Sequence, residues 1–321
     1  MKLAVFNPVM GDMELEESLK YLSNLGVEAM EMGVGGYPGK KQLNPKDYLD
    51  NPKKIKEIKE LFDKYNMEIA ALSCHGNPVS PNKELAQKSH LDFVDACNLA
   101  KQLGVKTVVT FSGCPGGGPS DKTPNWVTCS WPEEYTDVLN YQWNKVLVPY
   151  WKSVVPLLEE CDIKVAFEMH PGFCVYNPHS MKKLRELVGC ERLGVNFDPS
   201  HLYWQQIDPI VAIRELKDCL FHFHAKDTYL DEENIRKNGV LDTANYGETL
   251  ERSWQFKTVG YGHDLVEWKK MISRLKDIGY KGAISIEHED SSMSTNEGLE
   301  KAIMFLDEII IREDANEAWW F

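Results

Sequence analysis

The sequence alternates eight times between a short strand-like run and a segment with helical periodicity, and few folds accommodate that rhythm. "KLAVFNP" precedes "LEESLKYLSNLG", "VEAMEMGV" precedes "NPKKIKEIKELFDKYN", "MEIAALSCHGNP" precedes "ELAQKSHLDFVDACNLAKQLG", and "KTVVTFSGC" precedes an apolar-periodic segment from about Tyr135 to Glu160. The second half continues with "KVAFEMH" and "HSMKKLRELVG", "LGVNFDPSH" and "DPIVAIRELKD", "LFHFHAKD" and "DLVEWKKMISRLKDIG", then "AISIEHED" and "NEGLEKAIMFLDEIIIRED". Gly26, Gly104, Gly189 and Gly279 stand at predicted helix ends, where a left-handed stop favours glycine. The strands are continuous apolar runs, as expected of a parallel sheet buried on both faces. Eight units without a linker, in 321 residues of 43% hydrophobic content, predict an α/β chain folded as a single (β/α)₈ TIM barrel over residues 1–321. Two connections are long for βα loops, Ser112 to about Glu134 after strand four and Asp227 to about His263 after strand seven. In a barrel both fall on the C-terminal face, where long loops cover active sites.

Charge and cysteine usage narrow the partners. With 49 acidic against 36 basic residues the net charge is -13, which repels phosphate backbones and anionic membrane surfaces, so neither nucleic acid nor membrane is the expected partner. The N-terminal "MKLAVFNPVMGDMELEE" turns acidic after a short apolar run and lacks a signal-peptide pattern, and no stretch is long enough to span a bilayer. Eight cysteines without a CxxC pair read as reduced thiols of a cytoplasmic protein.

Ionisable residues gather at four consecutive strand ends. Side chains alternate along a strand, so Glu168 and His170 share a face of strand five, as do Asn196 and Asp198 of strand six, with His201 just beyond. Strand seven carries His222 and His224 on one face, followed by Lys226 and Asp227; strand eight ends on Glu287 and Glu289. A lone polar residue at a strand end is ordinarily a hydrogen-bonded neighbour or a cap. A Glu, an Asp, a His and a second Glu converging from these strand ends in a low-dielectric barrel mouth, however, are heavily penalised unless a cation sits among them. Three carboxylates and one imidazole suit a divalent ion, Mn²⁺ first, with Mg²⁺ or Co²⁺ as alternatives, and leave positions for substrate oxygens.

At these residues the chain resembles the xylose-isomerase-like superfamily of sugar isomerase/epimerase barrels. The likeness rests on Glu168, Asp198, His224 and Glu287 with "DPSH" and "HAKD", spaced 30, 26 and 63 residues apart. It implies one divalent metal on those four side chains, with Glu168 and Glu287 also serving as an acid/base pair. The implied reaction is proton abstraction beside a carbonyl to give an enediolate, followed by isomerisation or epimerisation of a small-molecule sugar. His170 adds a second proton-transfer group. The "EMHPG" strand end is also similar to catalytic subunits of bacterial C-glycoside deglycosidases, in which the same enolisation would cleave a 3-oxo-glycoside. An abasic-site endonuclease is a further use of such a barrel, but it needs a basic groove that this composition supplies poorly.

Further candidates surround this core. His201 matches a family position that binds a substrate oxygen. His75 and Asn77 in "SCHGNP" line the pocket or cap the turn, and Lys226 neutralises a substrate anion or pairs with an acidic neighbour. "FSGCPGGGP" lacks the lysine and serine of a phosphate loop and reads as a lid, with Trp126 available to cover a ligand; Arg236 is a substrate candidate only by rough position. The tail aromatics Trp319, Trp320 and Phe321 suggest burial in a homo-oligomer or against a partner subunit.

Overall fold

Eight strands of the computed structural model, which describes residues 1–315 and 320, close on themselves with every neighbour parallel. They are β1 (Lys2–Phe6), β2 (Ala29–Gly33), β3 (Glu68–Ser73), β4 (Thr107–Thr110), β5 (Lys164–Glu168), β6 (Leu193–Phe197), β7 (Leu220–Ala225) and β10 (Ala283–Ile286), joined in the order β1-β10-β7-β6-β5-β4-β3-β2. Two further strands, β8 (Asp227–Leu230) and β9 (Trp254–Lys257), form an antiparallel hairpin outside the barrel, within the seventh connection. The sequence reading treats that connection as a loop; its strands are only four residues each and are separated by a helix, Glu232–Asn238.

Alternation along the strands divides two environments. One set, including Leu3, Val5, Met30, Leu72, Val165, Phe167, Phe197 and Phe223, packs in the main apolar core with the surrounding helices. The other set is small at one end, where Ala4, Ala29 and Ala283 form one cluster and Ala71, Val109 and Ala166 another. Two residues further along four of these strands the second set turns polar: Ala29 gives way to Glu31, Ala71 to Ser73, Ala166 to Glu168 and Ala283 to Ser285, whereas Ala4 and Val109 are followed by Phe6 and Phe111. Narrow apolar layers thus support a polar layer at the C-terminal end, where barrel enzymes place their chemistry.

The helices form where the sequence places caps and stripes. Pro52–Lys64 buries Ile55, Ile58 and Phe62 at helical spacing, and Asn51 accepts from the Lys54 N–H at its start. Lys83–Leu103 begins at the Asn82 cap and stops at Gly104, which has φ +83°. The segment expected as one helix from about Tyr135 to Glu160 has a widened π turn at Gln142–Leu147 between Glu133–Tyr141 and Val148–Cys161. The widening ends where Pro149, which has no N–H to give, enters the helix. Buried Gln142 donates to the carbonyls of Pro115, Gly116 and Asn125, tying this helix to the fourth connection. No helix among the described residues is long and apolar enough to cross a membrane. Of the tail aromatics, Trp319 and Phe321 lie outside the described residues, and Trp320 is exposed.

Candidate active site

Glu168 is the last residue of β5, Asp198 follows β6, His224 is the penultimate residue of β7, and Glu287 follows β10. Parallel pairing without a long stagger brings these ends to one depth: Glu168 lies opposite Asn196 and Ser285 opposite His224. One donor atom from each of Glu168, Asp198, His224 and Glu287 falls within 4.8 Å of all the others. His224 Nδ1 lies 3.0 Å from Glu287 Oε2 and 3.3 Å from Glu168 Oε2. Asp198 Oδ1 accepts from the Ser200 N–H at the start of the following helical turn, whereas its buried Oδ2 faces the cluster, 3.2 Å from Lys226 Nζ and 3.3 Å from His201 Nε2.

The convergence of these four donors is one sign of a cation site, and the charge balance is another. Glu168, Asp198, Glu287 and Glu289 surround a single buried ammonium, Lys226, whose Nζ is 3.2 Å from Asp198 Oδ2, 2.9 Å from Glu287 Oε2 and 3.0 Å from Glu289 Oε2. Burial would lower the His224 imidazole, but Glu31 and Glu287 hold it well above its usual range, and even with that charge counted beside Lys226 the four carboxylates leave an excess that a dication would offset. Burial would lower the Lys226 ammonium, but Asp198, Glu287 and Glu289 outweigh it and hold its pKa well above the usual range. Burial likewise would raise Glu168, yet hydrogen bonds from His201, His224 and His75 keep it well below the usual carboxylate range. Glu287, which burial alone would raise, is brought down to about 2 chiefly by Lys226. Glu168 and Glu287 are therefore presented ionised, as ligands and bases must be. The residues fit a divalent cation.

Sequence reasoning overlooks Glu31. It stands in β2 among Met30 and Met32, is fully buried, and accepts from His222 Nε2 at 2.7 Å, from His224 Nε2 at 2.9 and 3.0 Å, and from Ser285 Oγ at 2.6 Å, with Ser73 Oγ as a further donor. Its signal was a single carboxylate inside an otherwise apolar strand, which is costly unless partnered. His222, read beside His224, is thereby placed one layer deeper than the four donors.

A cavity of about 200 Å³ opens above the cluster, lined by Glu168, His170, Lys226, Glu287 and Glu289 on one side and by Phe6, Pro8, Tyr37, Pro38, His75 and Phe111 on the other. His170 reaches it by a turn, not by strand alternation: β5 ends at Glu168, and the His170 N–H donates to the Glu168 carbonyl at 2.9 Å. Its Nδ1 lies 2.6 Å from the Pro171 carbonyl, which can only accept, so Nδ1 carries the hydrogen and Nε2 is left with a lone pair. Burial, with help from nearby His201, pushes the His170 pKa down to about 3.

The remaining candidates divide. His75 Nε2 is 3.0 Å from Glu168 Oε2, and His201 Nε2 is 3.0 Å from Glu168 Oε1 and 3.3 Å from Asp198 Oδ2. Both therefore hold the carboxylate layer, and His201 also packs on the His170 ring at 4.1 Å. Asn77 exchanges two hydrogen bonds with the backbone of Cys114, fastening the fourth connection in place. Trp126 is not among the residues that line the cavity; it packs with Trp204, Trp254 and Phe256 and meets Tyr176 edge-on, beside a separate groove. Arg236 is exposed and paired with Glu232.

Fold and site together define a (β/α)₈ barrel with an acidic, histidine-buttressed centre at its C-terminal face. Residues 19–309 match the xylose isomerase-like TIM barrel family, and the chain belongs to it. It is 41% identical over 314 residues to the uncharacterized protein YfiH of Bacillus subtilis, covering 97% of this chain and 99% of that one. An inosose dehydratase of Clostridium tetani is 27% identical over 272 residues, 83% of this chain and 82% of the other. The crystal structure of IolI protein with a bound zinc atom superposes with a TM-score of 0.64 at 16% identity, over 97% and 98% of the two chains.

Proposed function

We propose that the protein is a divalent-cation-dependent enzyme that enolises an uncharged sugar or cyclitol ketone and returns the proton to a new position, as an isomerase or epimerase. The observation that carries this reading is the convergence of Glu168, Asp198, His224 and Glu287 within 4.8 Å beside a cavity that Glu168 and Glu287 line. A cation held by these four side chains would polarise a substrate carbonyl and acidify the neighbouring C–H. Glu168 and Glu287 each touch His224 Nδ1 and flank that position. One carboxylate takes the proton from carbon as the C–H electron pair moves toward the carbonyl oxygen. Delivery of a proton to the opposite face, by the other carboxylate after it has taken one up from water or a substrate hydroxyl, then gives the epimer, and return of the abstracted proton to the adjoining carbon gives the isomer.

The cavity also suggests the substrate class. Its volume is below the ~300–1,000 Å³ of drug-sized sites, which suits one sugar ring. Among the described residues that line it, Lys226 is the one cation, and three carboxylates already occupy its ammonium. A phosphate or carboxylate group on the substrate would meet Glu168, Glu287 and Glu289 without a counter-charge. Phe6, Tyr37 and Phe111 offer an apolar wall for the C–H face of a ring.

His170 favours a second reading, elimination after the same enolisation, with its uncommitted Nε2 taking up the proton removed from carbon and passing it to a leaving hydroxyl or aglycone as the bond to that group breaks. The inosose dehydratase relative and the deglycosidase-like "EMHPG" end point the same way. Incubation with Mn²⁺ in deuterated water, with a panel of uncharged ketoses, inososes and 3-oxo-glucosides, tests both. Deuterium beside the carbonyl together with a rearranged sugar supports the first reading, and deuterium with loss of water or aglycone supports the second. No exchange into any of them would overturn the proposal.

A further inference from the structure

We infer that Glu31 is a positioning residue that sets the ring of His224 for cation binding; the inference rests on the cation site proposed above. Both carboxylate oxygens of Glu31 lie against His224 Nε2, at 2.9 and 3.0 Å. Ser73 Oγ and Ser285 Oγ also donate to these same two oxygens, one to each, so both act as acceptors and the hydrogen on that side of the ring belongs to Nε2. The remaining nitrogen, Nδ1, is the one that faces Glu168 and Glu287. Glu31 thus decides which nitrogen of His224 is presented to the metal position, in the way that carboxylates behind metal-binding histidines orient the ring and fix its tautomer.

The carboxylate is itself held from several strands, which makes it a rigid support. Ser73 Oγ from β3, His222 Nε2 from β7 and Ser285 Oγ from β10 all donate to it, and the Phe6 ring of β1 stacks on His224 at 5.4 Å. Glu31 is fully buried, so water cannot substitute for it. The barrel layer just beneath the proposed site is therefore a network of five polar side chains, Glu31, Ser73, His222, His224 and Ser285, centred on one carboxylate. Its consequence is orientation: with the ring pinned at Nε2, His224 cannot rotate to offer the wrong nitrogen.

Glu31→Gln tests the assignment, because it preserves shape while replacing one acceptor oxygen by an amide that donates toward a ring N–H. Zn²⁺ and Mn²⁺ affinities are measured by competition with a chromogenic chelator, without substrate, so that failure of the enolisation chemistry is read separately. We expect wild type to bind and Glu31→Gln to bind roughly 10–100-fold more weakly, with a metal-free circular dichroism spectrum like that of wild type. Equal affinity in a folded Glu31→Gln protein would overturn the role of Glu31 alone; a wild type that binds neither ion would overturn the cation site as well. A measurement on wild type decides the matter even if the variant does not fold: in the ¹⁵N-histidine spectrum of the Zn²⁺-loaded protein, His224 should show a protonated Nε2 and a metal-bound Nδ1. The reverse assignment would overturn the inference.

Discussion

Glu168 and His170 stand two residues apart but reach the cavity by different routes, and this difference gives the sharpest test at the scale of single residues. Glu168 is inside the four-donor cluster, whereas His170 follows a turn, gives its Nδ1 hydrogen to the Pro171 carbonyl and is not one of those four donors, although a ring nitrogen of His170 lies within 4.8 Å of donor atoms of Glu168 and His201. His170→Ala should therefore keep its bound cation and lose roughly 10²-fold or more in turnover, the usual scale for a positioned acid or base. Metal analysis beside steady-state rates checks this, and parallel loss of both would make His170 part of the cation's support. Lys226 makes a different kind of prediction. Replacing it by methionine leaves Asp198, Glu287 and Glu289 without their shared ammonium, and breaking a buried ion pair costs about 3–5 kcal/mol. Lys226→Met should lose stability of that order in urea unfolding of the metal-free protein, and less with Mn²⁺ present; a loss within about 0.5 kcal/mol would remove Lys226 from the charge balance.

At the scale of elements, the connections after the barrel strands are fastened by buried polar contacts that depend on particular residues. Gly36, in the connection after β2, has φ +63°, and a Cβ there would lie 1.8 Å from the His75 carbonyl oxygen. Gly36→Ala should shift the segment bearing His75, whose ring supports Glu168, so we expect weaker cation binding together with a lowered melting temperature; an unchanged protein on both measures contradicts this coupling. The seventh connection hangs on Asp227, which accepts from the N–H groups of Gly260, Gly262 and His263, from His263 Nδ1 and from Trp268 Nε1. Removing a buried acceptor from several donors costs about 1–3 kcal/mol for each group left unpaired. Asp227→Ala should therefore destabilise the protein measurably and expose residues 231–253 to limited proteolysis, whereas wild-type cleavage kinetics would show that the hairpin is held by β8–β9 pairing alone.

At the scale of the whole molecule, a cation bound only by the folded barrel stabilises it by RT ln(1 + [L]/Kd), about 2.7 kcal/mol at a hundredfold excess over Kd. The melting temperature should thus rise with Mn²⁺ or Zn²⁺ and return on addition of a chelator, and Asp198→Ala should abolish the shift; a melting curve insensitive to either ion would remove the cation from the folded state. The closed barrel and the strand ends that carry ionisable residues were legible from the sequence for the same reason, whereas the choice of Glu168, Asp198, His224 and Glu287 among those ends came from the family resemblance. Strand alternation and the βα period are local regularities, so continuous apolar runs announce the parallel sheet and each strand end announces which residues face its mouth. Asp198, two residues after Asn196, and His224, two after His222, could be placed in this way without knowing their neighbours. The roles of Glu31, Lys226 and Asn77 could not, because each is defined by partners distant in sequence: Glu31 by residues 191 and 193 positions away, Lys226 by Glu287 and Glu289, and Asn77 by Cys114. Local sequence determined the period, the core and the ends of the strands. Only closure of β1 against β10 and β2 decided which of those ends meet, because the energy of a buried charge depends on the groups that surround it in space.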